Sequence, residues 1–281
     1  MNTTFLGMGL MGIPMATNIV TKWFPLTIYN RTPGKAEELI SLGAHEALSL
    51  EDAVRDADVI ISMVTAGEDV EKLVHQSLST LKRWAIWIDM STIWVKWAKK
   101  LALELESVWV GFIDAPVTGS TPKAITGELT IFVWGDREVF ARIEWVLQSM
   151  GTNIQYMWAV GMGQAMKLVN NTLVAYAMIG LAEVMKLAGS MGMDATSTAR
   201  VIKTIPVSSP YTAMKVDNYV THTYPLMFSV ANMRKDIDLA YDMMQEGDMS
   251  LEYLEHAHAL YSRAVDAGIG WEDLSAIEKL L

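Results

Sequence analysis

The sequence predicts an α/β domain on a mostly parallel sheet, followed by an all-α domain joined to it by a long helix. Three observations carry that expectation. Short β-rich apolar runs alternate with helical patterns through the first half of the chain. A glycine-rich turn, "LGMGLMG", lies at the end of the first of these runs. After Gly161 the chain keeps its helical periodicity and loses almost all strand signal. Alternating strands and helices mark parallel βαβ units whose sheet is covered on both faces.

Taken in order, "TTFLGM" (3–8) reads as a strand ending in glycines, and "GIPMATNIVTKW" (12–23) as the helix that follows. "PLTIYN" (25–30) is the second strand, and "PGKAEELISLG" (33–43) a helix closed by Gly43. "DVIISMV" (58–64), "AIWIDMST" (85–92) and "VGFIDAPV" (110–117) are further strands. The helices "DVEKLVHQSLSTL" (69–81) and "VKWAKKLALELE" (95–106) separate them. "ELTIFVWGD" (128–136) and "NIQYM" (153–157) complete the strands, around the helix "DREVFARIEWVLQSMG" (136–151). Six helical segments follow, at 163–191, 195–204, 210–220, 229–246, 250–267 and 271–280. The expected domains are therefore 1–161 and 162–281.

Composition limits the functional classes. The 281 residues are 51% hydrophobic and 19% charged, the balance of a folded globular protein. A net charge of −10 and the lack of any basic run argue against a nucleic-acid partner. With 0 cysteines there are no disulfides, thiolate nucleophiles or cysteine-bound metals. The histidines, His45, His75, His222, His256 and His258, offer no metal-ligand spacing and are expected on the surface. The start, "MNTTFLGMGLMG", lacks the basic segment of a targeting signal. The uncharged run from Leu168 stops at Glu183, short for a membrane span. A soluble, cytoplasmic protein without a membrane partner is expected, and so many apolar residues in the helical half favour a homodimer or homotetramer.

Three clusters carry chemistry. In "LGMGLMG", Gly7, Gly9 and Gly12 make G-x-G-x-x-G between a strand and a helix, the context of a dinucleotide site of Rossmann type. Gly7 permits the tight turn, Gly9 lets a pyrophosphate approach the backbone, and Gly12 lets helix and strand pack closely. Met8, Leu10 and Met11 complete the turn, and the helix N-terminus supplies N–H groups for phosphate. After the second strand, where a carboxylate would hold the ribose of NAD, the chain has Asn30, Arg31 and Thr32. A guanidinium grips a 2′-phosphate and a carboxylate repels one, so NADP(H) is favoured and NAD(H) possible. A solvated loop arginine is the alternative.

The second cluster, Thr118, Gly119 and Ser120, places two hydroxyls and close-set N–H groups past a strand end, suited to a carboxylate or equally to an ordinary turn. In the third, Lys167 and Asn171 are four apart on one helix and share a face. An ammonium there can serve as a general acid in reduction and a general base in oxidation. A snorkelling lysine beside an amide is the alternative.

In its motifs the sequence resembles the β-hydroxyacid dehydrogenase family nearly end to end. The matching stretches are "FLGMGLMGIPMATN", "YNRTPGKAEEL", "IDMST", "DAPVTGSTPKAITGELTI", "GDREVF", "VGMGQAMKLVNN" and "FSVANMRKDIDLA". The resemblance implies that Lys167 is the catalytic acid/base with Asn171 as its partner, and that Thr118, Gly119 and Ser120 surround a substrate carboxylate. It further implies that Met63, Val64 and Thr65 line the cofactor, that Thr92 approaches the nicotinamide end, and that Lys235 reaches the cofactor from the second domain. "NRT" resembles the NADPH-using glyoxylate/succinic semialdehyde reductases. The implied partner is a small carboxylate-bearing carbonyl compound or hydroxy acid. An NAD-dependent 3-hydroxyisobutyrate dehydrogenase is the nearest alternative, and a non-catalytic dinucleotide-binding scaffold the alternative from another class. Trp134 and Trp158 stand where the family usually has glycine, and "TIWVKWA" lacks its usual proline.

Overall fold

Thr3–Leu6 (β1) runs straight into the glycine turn and Gly12–Thr21 (α1), the first of the expected βα units. Then come Leu26–Tyr29 (β2), Glu37–Ser41 (α2), His45–Glu46 (β3), Leu50–Val54 (α3), Val59–Ser62 (β4) and Gly67–Ser77 (α4). Ile86–Asp89 (β5), Val95–Ser107 (α5) and Gly111–Asp114 (β6) follow, then Val117–Thr118 (β7), Ser120–Thr126 (α6), Leu129–Gly135 (β8), Arg137–Met150 (α7) and Gly151–Tyr156 (β9). The structure is a computed structural model describing residues 1–22, 24–157 and 161–281. It divides into two units, Met1–Lys167 and Leu168–Leu281.

In the first unit the sheet order is β3-β2-β1-β4-β5-β6-β8-β7, with β9 paired to β8. Strands β1 to β6 pair in parallel, and β8 runs antiparallel to β6 and β7. Successive side chains point to opposite faces of a strand, and both faces here are covered. Phe5, Ile61, Ile88 and Ile113 enter one apolar core. Leu6, Ile60, Trp87 and Phe112 enter the other. Sequence order reverses at β1 and β4, where open α/β sheets form a crevice beyond the carboxyl ends of their strands.

The second unit continues α8 (Met162–Ser190), which starts in the first. It adds Ala195–Ile202 (α9), Pro210–Thr221 (α10), Val230–Glu246 (α11), Glu252–Asp266 (α12) and a 3₁₀ helix, Leu274–Leu280. Side-chain caps start most of these: Asp194 accepts from Ser197 N, Ser209 and Thr212 form a capping box before Pro210, and Ser229 accepts from Asn232 N. Met178, Ala182, Val216, Met233, Ile237, Leu260 and Tyr261 form the core. Lys215 and Asp273, both fully buried, pair at 2.6 Å. Asp273 also accepts from Met227 N and from the amide and hydroxyl of Ser275.

Several details depart from the sequence reading. Elements β3, α3, β7 and α6 were not expected; each has seven residues or fewer, too few to display a hydrophobic period. The segment expected at 271–280 is a 3₁₀ helix from Leu274, begun by Asp273, whose carboxylate accepts from Ser275 N. Helix α8 matches the expected 163–191 segment; although its uncharged run ends at Glu183, length and composition alone would let its 29 residues cross a membrane. His258 is half-buried rather than on the surface: it stacks on Tyr241 with centroids 4.3 Å apart and lies 3.1 Å from Asp238. Trp134 is half-buried in β8 and packs on the second core of the sheet, while Trp158 lies outside the described residues.

Candidate functional site

The three glycines of the turn stand in three different surroundings. Gly7 has φ +104°, and a Cβ there would lie 2.3 Å from the carbonyl oxygen of Met63. A Cβ on Gly12 would lie 1.9 Å from the oxygen of Gly7. Around Gly9 nothing lies within 4 Å of such a Cβ, so its backbone is open to a ligand. Asn30 holds the turn from β2, its Oδ1 accepting from Met8 N at 3.0 Å while its amide donates to Thr32 O. Helix α1 begins with no side-chain cap and no acidic residue in its first turn. Its first N–H groups thus keep the partial positive charge that draws phosphate.

A cavity of about 460 Å³ opens beside this turn. Gly7, Met8, Gly9, Asn30, Arg31, Thr32, Met63, Val64 and Thr65 line it, nine of the expected cofactor residues. Leu10, Met11, Gly12, Thr92 and Lys235 are not among its lining residues. Gly12 is buried under the turn, and Leu10 is exposed. Sequence reading missed Lys35 and the α4 residues Asp69, Lys72, Leu73 and Gln76, which also line the cavity. Their 0, 3, 4, 7 spacing puts the four on one helix face, a signal present in the sequence. Arg31 is open to solvent and lies 3.8 Å from the carboxylate of Asp69.

Beneath the carboxyl ends of β4, β5 and β6 runs a buried polar network. Asp89 accepts from the hydroxyls of Ser62 and Ser91, at 2.7 and 2.8 Å. Ser62 also accepts from the indole of Trp87, and Ser91 accepts from Val64 N. Asp114 sits in register beside Asp89 on the next strand. Burial pushes the Asp114 carboxyl up to about 8; hydrogen bonds from Gln164 oppose the shift and the charge of Asp89 adds to it.

Helix α8 starts against this network. The Gln164 amide donates to Asp114 Oδ1 at 2.7 Å and to Ser91 O at 2.9 Å, and its Oε1 accepts from Ile93 N at 2.9 Å. Its backbone N–H donates to the other Asp114 oxygen. These bonds explain why residues 162–167 pack with the sheet although the expected domain boundary preceded them. Lys167, one turn on, is 8% exposed. Thr118 ends β7, and Gly119 (φ +132°) and Ser120 (φ +58°) make the strained turn that opens α6.

In the second unit Asn171 is buried and donates to Asp236 Oδ2. Lys235 meets the other oxygen of Asp236 at 2.8 Å. Asp236 was not singled out from sequence. Its position three after Met233 and one before Ile237, both core residues, put it on the buried face of α11.

An uncapped helix behind a glycine turn, at the reversal point of a parallel sheet and beside a cation-lined cavity, defines a dinucleotide-binding protein of Rossmann type. Comparison with known proteins agrees. Residues 2–159 match the family described as the NAD binding domain of 6-phosphogluconate dehydrogenase. Residues 161–281 match the NAD-binding domain of NADP-dependent 3-hydroxyisobutyrate dehydrogenase. The NAD-dependent L-serine dehydrogenase of Pseudomonas aeruginosa is 32% identical over 98% of this chain and 96% of its own. The chloroplastic glyoxylate/succinic semialdehyde reductase 2 of Arabidopsis thaliana is 29% identical over 99% of this chain and 78% of its own. Among solved structures, Mycobacterium tuberculosis 3-hydroxyisobutyrate dehydrogenase with L-serine superposes with a TM-score of 0.89 at 30% identity, covering 99% and 98% of the two chains. The chain belongs to the β-hydroxyacid dehydrogenase family, NAD(P)-dependent oxidoreductases that interconvert hydroxy acids and carbonyl compounds.

Proposed function

We propose that this chain is an NADP(H)-dependent reductase of short carboxylate-bearing aldehydes, of the glyoxylate or succinic semialdehyde type, with Lys167 as proton donor. The observation that carries the reading is an ammonium group only 8% exposed on α8, with Asn171 one turn on along the same face. Glyoxylate, succinic semialdehyde, 3-hydroxyisobutyrate and L-serine, the compounds in the relatives' names, share a carboxylate and either an aldehyde or the primary alcohol it becomes.

In this reading a bound nicotinamide supplies the hydride, and the chain positions the substrate and moves the proton. The Lys167 ammonium gives its proton to the carbonyl oxygen as negative charge develops there, and takes one back in the oxidative direction. The Thr118–Gly119–Ser120 turn holds the substrate carboxylate through hydroxyls and N–H groups. Asn171, oriented by Asp236, fixes the substrate oxygen. Around the cavity, Arg31, Thr32 and Lys35 take the 2′-phosphate, while the open backbone at Gly9 and the α1 N-terminus take the pyrophosphate.

One observation favours the NAD-dependent 3-hydroxyisobutyrate dehydrogenase alternative: Asp69 lines the same cavity and faces Arg31. A carboxylate there suits a ribose hydroxyl better than a phosphate. Steady-state rates of glyoxylate and succinic semialdehyde reduction with NADPH and NADH, and of 3-hydroxyisobutyrate and L-serine oxidation with NADP+ and NAD+, decide between them. The proposal expects NADPH with an aldehyde acid to give the highest kcat/KM. NAD+-dependent oxidation of 3-hydroxyisobutyrate as the best reaction would replace it.

We also propose a homo-oligomer. Val169, Leu173, Val184 and Leu187 form an exposed stripe at helical spacing along α8, continued by Met191 just past its end. Light scattering that gives a monomer mass at micromolar concentration would remove this proposal.

A further inference from the structure

Gln164 uses both ends of its buried side-chain amide close to the proposed chemistry. It is 0% exposed, and both amide hydrogens and the carbonyl oxygen are used. Its partners lie on two different strand ends. Ser91 O and Ile93 N flank Thr92, so the peptide on each side of Thr92 is tied to one amide. Asp114 ends β6, four residues before the turn at Thr118. Gln164 itself precedes Lys167 by three positions on α8, close to one full turn.

We infer that Gln164 is a positioning residue: one buried amide locks the start of α8 to the ends of β5 and β6, and so fixes the Lys167 ammonium relative to Thr92 and the carboxylate-binding turn. This rests on the reading of Lys167 as the proton donor. The neighbouring glycine supports it independently. A Cβ on Gly163 would lie 2.8 Å from both Asp114 Oδ2 and Phe132 O, so only glycine lets the helix come this close to the sheet. A helix end seated by the side-chain and backbone hydrogen bonds of Gln164 and by a glycine contact is constrained in rotation as well as in depth. Rotation matters here because a small turn of the helix sweeps a long lysine side chain across a large arc. Misplacing a reacting group by 1 Å costs up to about 10²-fold in rate.

The test uses the full-length protein with Gln164→Met, which keeps the side chain's length and removes its hydrogen bonds, and with Gly163→Ala, which keeps the amide and pushes the helix outward. Two readouts are taken: kcat and KM with NADPH and the best aldehyde acid, and the titration of Lys167 followed by NMR of ¹³C-lysine-labelled protein without ligand, assigned with Lys167→Met. The expected result is a kcat loss of at least tenfold in both variants. NADPH Kd is expected to stay within about twofold, and the Lys167 titration midpoint to shift from that of the wild type. A folded Gln164→Met that turns over within twofold of wild type, with an unmoved Lys167 titration, overturns the inference. If Gln164→Met does not fold, the same pair of measurements on Gly163→Ala decides. Lys167→Met separates the two ideas: wild-type kcat in that variant defeats the proton-donor reading itself, whereas an inactive Lys167→Met beside a normal Gln164→Met defeats only the positioning role.

Discussion

Replacing each glycine of the turn in turn with alanine separates three physical roles that a shared motif conceals. At Gly12 the new Cβ falls 1.9 Å from a backbone oxygen, about 1.5 Å short of the 3.4 Å at which ordinary contact begins. The obstacle is backbone of the turn itself, which cannot swing aside as a side chain would. A destabilisation near the upper end of the roughly 1–3 kcal/mol typical of overpacking follows. At about 2–4 °C per kcal/mol for a chain near this size, the melting temperature falls by roughly 5–10 °C. Gly7→Ala should do similar damage, because φ +104° lies where a side chain is strained and Met63 O is 2.3 Å away. Gly9→Ala meets nothing within 4 Å. Its stability should hold or rise by about 0.4–1 kcal/mol from reduced freedom of the unfolded chain. Its affinity for NADPH should nevertheless drop at least tenfold, about 1.4 kcal/mol, because the methyl occupies the pyrophosphate's approach. Thermal melts and fluorescence titration with NADPH measure both quantities. Gly9→Ala with wild-type affinity would refute the assignment of this backbone to the dinucleotide.

Arg31→Ala should raise KM for NADPH by about 10- to 100-fold and leave KM for NADH nearly unchanged, since one charge-assisted contact to phosphate is lost; Asp69→Asn should lower KM for NADPH. Equal effects on both dinucleotides would show that neither side chain reads the 2′-phosphate. Asp114 keeps its proton in the fold up to about 8, whereas its ordinary value is 3.8. Between these values the unfolded chain binds fewer protons than the native one, so stability contributed by this group falls as pH rises, by at most about 1.4 kcal/mol per pH unit. Urea unfolding of wild type and Asp114→Asn at pH 5 and pH 8.5 checks this, the variant losing less stability between the two. Lys215→Ala strands the fully buried Asp273 carboxylate and should cost about 3–5 kcal/mol in denaturant unfolding. A cost under 1 kcal/mol would mean that the pair is not desolvated as it stands here.

Long elements were legible because their periods are long enough to count. The four-residue parallel strands could be read because each is an apolar run flanked by helix, and the glycine turn because its context fixes its geometry. The short elements β3, α3, β7 and α6 carry no period and no such flanking pattern, and were missed. The lining of the cavity was legible along its strand-end loops, where motif spacing applies. Its α4 wall was missed because Asp69, Lys72 and Gln76 look like any solvated helix face until a cavity is seen beside them. Gln164 and Asp236 were missed for a related reason. A buried polar residue gains meaning from partners 50 to 73 positions away, which the chain's order does not reveal. The compact units divide at 167/168, six residues past the expected 161/162, because the first turn of α8 packs with the sheet, while the family matches divide at 159/161.

The proposed reaction depends on the Lys167 ammonium passing the proton. A single-turnover measurement on Lys167→Met, loaded with saturating NADPH and mixed with the best aldehyde acid, tests it without interference from binding or product release. Wild-type NADPH affinity is expected, together with NADPH oxidation slowed by at least about 10²-fold, the scale of a lost general acid. Oxidation at the wild-type rate in that first turnover would contradict it.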